Sequence, residues 1–430
     1  MGQGSRVVVV GAGAAGCVAA LRAAGLGADV LLLEKEEHGA TIERGGGWIF
    51  AAGTRWQKLA GIRDSAGQFA NDVQSKNGGT ADPAVLAALT GVSADVAHWL
   101  ADEVGLPLVL ESEAGRPDDP ALTHRCHVDR EGRGGPGFLA AVRGACEAHP
   151  RVELRIGSAA DGLLTDAAGC VTGVRLADGT EVAASAVVLA AGGFAASREL
   201  LARHIPDAVP MAFVGGPGNT GEALGWATAA GAATAHMDAF QGHAQFVKGA
   251  LLRLSAGIPN EGGIFVGDDG RRFAREDVNY SAFTLDIARC PGAEAVEIFD
   301  ERIRRAVERH WAMRVAREKG LYTTAADAAE LAAQHGLPAA ALAATLAEYE
   351  EICRTGSDPL GREILGEPLR PPYHAARIVP VLAHTQGGLV VDAQMRVQRT
   401  GGAGPIPGLL ACGGTMAGLS GDGAGGYYSG

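Results

Sequence analysis

The stretch Val7-Val8-Val9-Val10-Gly11-Ala12-Gly13-Ala14-Ala15-Gly16 decides the fold. Its run of valines is a short buried strand, and the alanine-rich segment Cys17 to Gly25 that follows the glycines has the character of a helix. Asp29 to Leu33 is a second apolar strand, closed by Glu34. Strand, glycine turn, helix and parallel strand make a βαβ unit. Each glycine has a physical reason: Gly11 makes the tight turn, Gly13 lets backbone approach a pyrophosphate, and Gly16 lets helix pack closely on strand. The helix N-terminus offers unpaired N–H groups and the positive end of its dipole to phosphates. Glu34, 23 residues after Gly11, is placed to accept hydrogen bonds from adenosine ribose hydroxyls. Gly11, Gly13, Ala14, Ala15, Gly16, Glu34 and Lys35 are therefore the expected dinucleotide-binding residues.

The rest of the chain constrains what this unit belongs to. With 430 residues, 47% of them hydrophobic and 20% charged, there is apolar material for two or three sizeable cores. The balance of 37 basic against 49 acidic residues, a formal charge of −12, argues against nucleic acid or an anionic membrane as partner. Seven cysteines lie far apart without CxxC or CxxCH spacing, so reduced thiols are expected and no metal, haem c or iron–sulfur site. Met1 to Arg6 runs straight into a strand, and no segment is expected to reach the apolar length needed to span a bilayer, so no integral membrane segment is read; the cytoplasm is the expected compartment.

Further along, Pro83 to Leu100 has helical apolar spacing, whereas Gly115 to Gly137 is rich in Gly, Pro, Asp and Arg and reads as loop. Val152 to Ile156, Gly162 to Asp166, Val171 to Leu176 and Glu181 to Val182 are short strand-like runs, followed by the buried strand Ala186 to Ala190. Residues 231–354 change texture, alternating strand-like pieces such as Gly263 to Val266 with long Ala/Glu/Arg helical stretches such as Ala325 to Cys353. Strand-and-turn texture returns at His384 to Asp392 and Ile406 to Ala411, before a glycine-dense tail from Gly413 to Gly430.

Three later segments choose among dinucleotides. Arg44-Gly45-Gly46-Gly47-Trp48, Val187-Val188-Leu189-Ala190-Ala191-Gly192-Gly193-Phe194 and Ile406-Pro407-Gly408-Leu409-Leu410-Ala411-Cys412-Gly413-Gly414 follow the first motif in order. Together they resemble the flavoprotein family of fumarate reductases and succinate dehydrogenases, which includes L-aspartate oxidases and 3-ketosteroid dehydrogenases. The resemblance implies FAD as cofactor and an α/β fold: a discontinuous Rossmann-like FAD-binding domain, residues 1–230 and 355–430, with an inserted α+β capping domain, residues 231–354. It adds Gly45, Gly46, Gly47, Ala191, Gly192, Gly413, Gly425 and Gly426 to the cofactor-binding set. It also implies a substrate cleft where the cap meets the isoalloxazine ring, and a helix beyond the glycine pair whose N-terminus faces the flavin.

Catalytic candidates come from the same resemblance. Asp238-Ala239-Phe240-Gln241-Gly242-His243 is similar to the family's strand ending in a substrate-binding histidine, and His384-Thr385-Gln386-Gly387-Gly388 to its His-Thr-Met-Gly-Gly. Gly270-Arg271-Arg272-Phe273-Ala274-Arg275-Glu276 is similar to the segment that precedes the family's catalytic arginine by four residues, a count that arrives at Tyr280. The family's second arginine precedes a Gly-Gly pair, yet Ser420-Gly421-Asp422-Gly423-Ala424-Gly425-Gly426 holds none. Without the guanidinium fork a dicarboxylate loses its bidentate contacts, and Asp422 repels it. Tyr280, His384 and His243 are therefore the catalytic candidates for a dehydrogenase or ene-reductase acting on a CH–CH bond next to a carbonyl, a 3-ketosteroid dehydrogenase-like substrate class. Tyr427 and Tyr428 are candidates to line the same cleft, and His38 lies near a loop where some relatives attach flavin covalently. The alternatives are dicarboxylate reduction, with Arg272 or Arg275 replacing the clamp, and a flavin electron-transfer or binding protein with a degenerate site. A small-molecule substrate and a separate electron acceptor or donor are the expected partners.

Overall fold

The computed structural model describes residues 6–111, 124–250, 252–308 and 311–426. The chain folds into two compact units, one of Met1–Ile205, Val214–Gln241 and Ala383–Gly430, the other of Pro206–Phe213 and Gly242–Leu382.

The first unit is built on a six-stranded sheet in the order Arg396–Gln398, Pro405–Ala411, Ala186–Leu189, Arg6–Val10, Asp29–Glu34, Val152–Ile156. The five strands from Pro405–Ala411 to Val152–Ile156 are parallel, with Val8 beside both Leu31 and Val187, and Val188 beside Leu410. Val8 and Val9 are fully buried, as a strand covered on both faces requires. Helix Ala14–Gly25 buries Gly16, Cys17, Ala20, Leu21 and Ala24, the spacing of a single face. Helix Gly134–Ala148 packs with it in the same core, through Phe138, Leu139, Val142 and Cys146.

Here the structure corrects the loop expected from Gly115 to Gly137. Residues 112–123 lie outside the described residues, but Cys126–Asp129 is a strand and Gly134 opens a helix. Close approach overrides poor propensity: a Cβ on Gly135 would lie 1.7 Å from the Ile42 carbonyl oxygen, so only glycine brings the helix start onto the turn Thr41–Arg44. The stretch read as continuously helical, Ala325 to Cys353, is two helices, Ala328–His335 and Ala339–Thr355. Gly336, left-handed at φ 68°, ends the first, and Pro338 caps the second. A further correction concerns apolar length. Helix Pro83–Asp102 is long and apolar enough by length and composition to cross a membrane. It starts from an Asp82 cap and buries Leu86, Thr90, Ala97 and Leu100 within the first unit.

The second unit has a sheet ordered Ala212–Phe213, Tyr373–Thr385, Ala295–Asp300, Ile264–Val266, with Phe240–Val247 and Thr323–Ala325 also pairing to Tyr373–Thr385. Every residue of Ala295–Asp300 is buried. Its core includes Phe265, Phe283, Phe299, Ile303, Leu331 and Tyr349, each such side chain contributing ~1.5–3 kcal/mol of burial. This unit differs in extent from residues 231–354. Tyr373 pairs with Asp300 and Ile378 with Ala295, which keeps the chain after residue 355 in this sheet, and Ala212–Phe213 pairs with Val381 and Leu382. Thr234–Ala235, by contrast, pairs with Gly388–Leu389 in the first unit.

Candidate active site

A cavity of about 610 Å³ opens in the first unit, at the C-terminal ends of its central parallel strands. Gly11, Gly13, Ala14, Ala15, Glu34, Lys35, Ala191, Gly192 and Gly413 are in its wall. Gly11 sits at φ 104°, and a Cβ there would lie 2.4 Å from the Ala190 carbonyl oxygen. A Cβ on Gly13 would meet nothing within 4 Å, so this glycine faces open space. Among the described residues no side chain caps helix Ala14–Gly25, which leaves its first-turn N–H groups directed at that space. An uncapped helix end beside an open glycine turn fits a pyrophosphate.

Glu34 is positioned by backbone. Its Oε2 accepts from the Ala12 N–H at 2.8 Å and its Oε1 from the Glu36 N–H at 3.0 Å, so the carboxylate is fixed beside the turn it must serve. Arg143 donates Nε to the Ala12 carbonyl at 3.0 Å and lines the cavity, as do Ser158, Asn219 and Trp226. Lys35 Nζ meets the Glu222 carboxylate at 2.6 Å. Phe50, Phe69, Val73 and Leu89 give another part of the wall an apolar surface, suited to a planar ring system that must be kept dry. These residues fit FAD.

Several expected cofactor residues lie elsewhere. Gly16 is not in the wall; a Cβ there would lie 1.7 Å from the Gly11 carbonyl oxygen, so its job is packing. Gly45, Gly46 and Gly47 are not in the wall either, because the loop packs on helix Gly134–Ala148: Gly45 accepts from the Gly135 N–H at 3.1 Å, and a Cβ on Gly47 would meet Gly134 at 2.6 Å. Gly39, Ala40, Thr41 and Ile42, which sequence reasoning passed over, line the cavity instead. Gly425 and Gly426 are also outside the wall; a Cβ on Gly426 would lie 2.0 Å from the Ser420 carbonyl oxygen. Asp422 receives His236 Nδ1 at 2.7 Å. His38 is exposed and not in the wall, and Tyr427 and Tyr428 lie outside the described residues.

His384 is in the cavity wall, at the end of the long strand Tyr373–Thr385. Burial holds its imidazole below the usual histidine value, against a hydrogen bond between Nδ1 and the Thr385 carbonyl at 3.3 Å. That bond requires the proton on Nδ1, leaving Nε2 as an acceptor. Thr385 fixes the strand end by accepting the Phe194 N–H at 2.9 Å.

His243 and Tyr280 come together in the second unit. Their rings stack with centroids 5.2 Å apart and planes 3° from parallel. Tyr280 sits in the Asn279–Ser281 turn before helix Phe283–Ala288; Asn279 Oδ1 accepts the Ser281 N–H at 2.8 Å, and the Gly242 N–H donates to Ser281 Oγ at 2.9 Å. A Cβ on Gly242 would lie 2.7 Å from Thr284, so glycine lets the strand that carries His243 press against the turn that carries Tyr280. A third member had no sequence signal: Arg253 Nη1 lies 2.9 Å from His243 Nδ1, with its guanidinium carbon 5.4 Å from the Tyr280 ring centroid. Arg272 and Arg275, the candidate replacements for a dicarboxylate clamp, are engaged elsewhere. Arg272, nearly buried, binds Glu276 and Asp358, each at 2.6 Å, and Arg275 binds Asp277 at 2.9 Å.

The family model described as FAD binding domain matches residues 6–429. The chain belongs to this flavoprotein family. Fumarate reductase (cytochrome) of Shewanella frigidimarina is 30% identical over 426 residues, covering 96% of this chain and 72% of that protein. The open conformation of a flavocytochrome c3 fumarate reductase superposes with a TM-score of 0.80 at 26% identity, over 97% of this chain and 74% of the other. The 3-ketosteroid-Δ4-(5α)-dehydrogenase of Rhodococcus jostii RHA1, in complex with 4-androstene-3,17-dione, superposes with a TM-score of 0.76 at 28% identity, over 98% of this chain and 92% of the other. The cofactor of this flavoprotein is FAD, and its activity is that of an FAD-dependent oxidoreductase of fumarate reductase type acting on CH–CH bonds.

Proposed function

We propose that this flavoprotein removes or adds two hydrogens across a C–C bond next to a carbonyl, on a cyclic or bulky, weakly charged ketone of the 3-ketosteroid class. The observation that carries this reading is the stacking of Tyr280 on His243, where a dicarboxylate enzyme of the family has a cation in place of the phenol. Bound FAD supplies the two-electron acceptor or donor. The chain must move the other hydrogen as a proton and steady the carbonyl oxygen. A carbonyl acidifies the C–H bond beside it, and Tyr280 is the group we assign to move that proton, accepting it as the phenolate in dehydrogenation and returning it as the phenol in reduction. A phenol titrating near ~10 is a weak base at neutral pH, so the oxygen on which charge develops needs a donor. His243 is the donor we assign to it. His384, with Nε2 as acceptor, is assigned to substrate orientation.

Dicarboxylate reduction is the second reading, and the 30% identity to a fumarate reductase favours it. Against it stand the commitment of Arg272 and Arg275 to carboxylates and the absence of an arginine from Ser420 to Gly426. A separate electron acceptor or donor and a reducing, cytoplasmic setting complete the proposal; all seven cysteines are free thiols.

Tyr280→Phe tests the reading. The expected result is protein with full FAD content whose turnover on cyclic ketones drops at least ~100-fold, the low end of general acid–base contributions. Undiminished turnover removes Tyr280 from the chemistry.

A further inference from the structure

We infer that Arg253 is a positioning residue, one that holds His243 as the neutral imidazole with its proton on Nε2 and so fixes it as a hydrogen-bond donor rather than a proton carrier. This rests on the proposed role of His243 and adds to it a residue for which no motif exists.

The Arg253 guanidinium has five N–H donors, no acceptor, and stays charged throughout the working range. Arg253 Nη1 is 2.9 Å from His243 Nδ1, a hydrogen-bond distance. Nδ1 must therefore be the acceptor and carry the lone pair. A proton on Nδ1, in the other neutral tautomer or in the imidazolium, would set two donors against each other. The only N–H left to His243 is on Nε2.

The hairpin makes this pairing a property of the fold. Strand Phe240–Val247 turns back on itself, with the Val247 N–H donating to the Leu252 carbonyl at 3.0 Å and the Leu254 N–H to the Gln245 carbonyl at 2.9 Å. That register bridges Arg253 to Phe246, three residues beyond His243, and returns the guanidinium to the imidazole. The same guanidinium lies within cation–π range of the Tyr280 ring, so its charge is at hand when the phenol loses a proton. His384 shows the opposite arrangement, since its Nδ1 meets a carbonyl oxygen. One histidine is thus set as a donor through Nε2 and the other as an acceptor. A fixed Nε2–H suits a ketone oxygen whose charge grows during reaction.

The test reads the tautomer by nitrogen-15 NMR of histidine-labelled FAD holoenzyme at about pH 7, with the His243 signals assigned by their loss in His243→Gln. Wild type is expected to show a pyridine-type Nδ1 and a pyrrole-type Nε2. Arg253→Lys, which keeps a cationic donor, retains that pattern, whereas Arg253→Met gives averaged tautomers and a turnover on 4-androstene-3,17-dione lowered by roughly 10–100-fold at unchanged FAD content. A protonated Nδ1 in wild type, or an identical spectrum in Arg253→Met, overturns the inference. The wild-type spectrum decides the question even if Arg253→Met fails to fold. Because the spectrum does not depend on turnover, failure of the ketone reading in the Tyr280→Phe test remains distinguishable from failure here.

Discussion

On the proposed reading the two units recognise by different means. In the first, the cradle is mostly backbone: Gly11 and Gly13 clear space, helix Ala14–Gly25 presents uncapped N–H groups, and Glu34 is held by two amides. In the second, the decisive groups are side chains, with Tyr280, His243 and Arg253 brought together from a turn and a hairpin. A backbone site tolerates changes of side chain but no added volume at its glycines. A side-chain cluster tolerates changes of volume nearby but no loss of a charge or a donor. The contrast gives each region its own way of failing.

The largest expected effect tests the backbone side. Gly16→Val places a Cβ against the Gly11 carbonyl oxygen, and no rotamer relieves a clash with backbone. FAD-loaded protein should disappear, as measured by visible flavin absorbance per polypeptide; a fully loaded variant would show that the helix has room to move. Next comes Arg272→Met, which leaves the buried Asp358 carboxylate without its cation and Glu276 with Arg362 alone, at 3.2 Å. Calorimetry should show a loss of ~3–5 kcal/mol, with flavin content at low temperature unchanged. Immediate loss of flavin would mean that the two regions do not fail separately.

A pH-dependent effect of comparable size comes from Glu297. Desolvation in the core of the second unit pushes its carboxyl up to about 8, partly offset by the amide of Gln245 at 2.8 Å. Between the ordinary value of 4.5 and about 8, the folded state keeps a proton that the unfolded state has lost. Stability therefore falls as pH rises through that window, by ~1.4 kcal/mol per pH unit for this group, and levels off above it. Glu297→Gln should flatten that part of the profile in thermal melts; an unaltered slope would assign it to other groups. The smallest effect is Asp82→Ala, which removes the side chain that accepts the Ala84 and Val85 N–H groups and should cost ~1 kcal/mol in denaturant titrations.

What could be read from the sequence follows the same division. Arg6–Val10, Asp29–Glu34 and the cradle between them were legible because tight turn, helix start and terminal acid are local requirements with fixed spacing. Tyr280 is reached by counting from Glu276 and His243 by the likeness of Asp238 to His243 to a family segment, and the structure brings the two together. Arg253 was not legible, since only the hairpin register places it beside His243. Gly39–Ile42 and helix Gly134–Ala148 were missed for a related reason. Their positions depend on one packing against the other, as the Gly135–Ile42 approach shows, and glycine composition alone reads as loop.

The most direct test of the account sets the two substrate classes against each other on one enzyme. Anaerobically reduced FAD holoenzyme is mixed in separate stopped-flow shots with a cyclic enone, such as cyclohexenone or 4-androstene-3,17-dione, and with fumarate, and reoxidation of the flavin is followed. The enone is expected to reoxidise it at least ~100-fold faster, because Arg272 and Arg275 are committed to carboxylates and Ser420 to Gly426 holds no arginine to clamp a second carboxylate. Faster reoxidation by fumarate, with the enones inert, would contradict it.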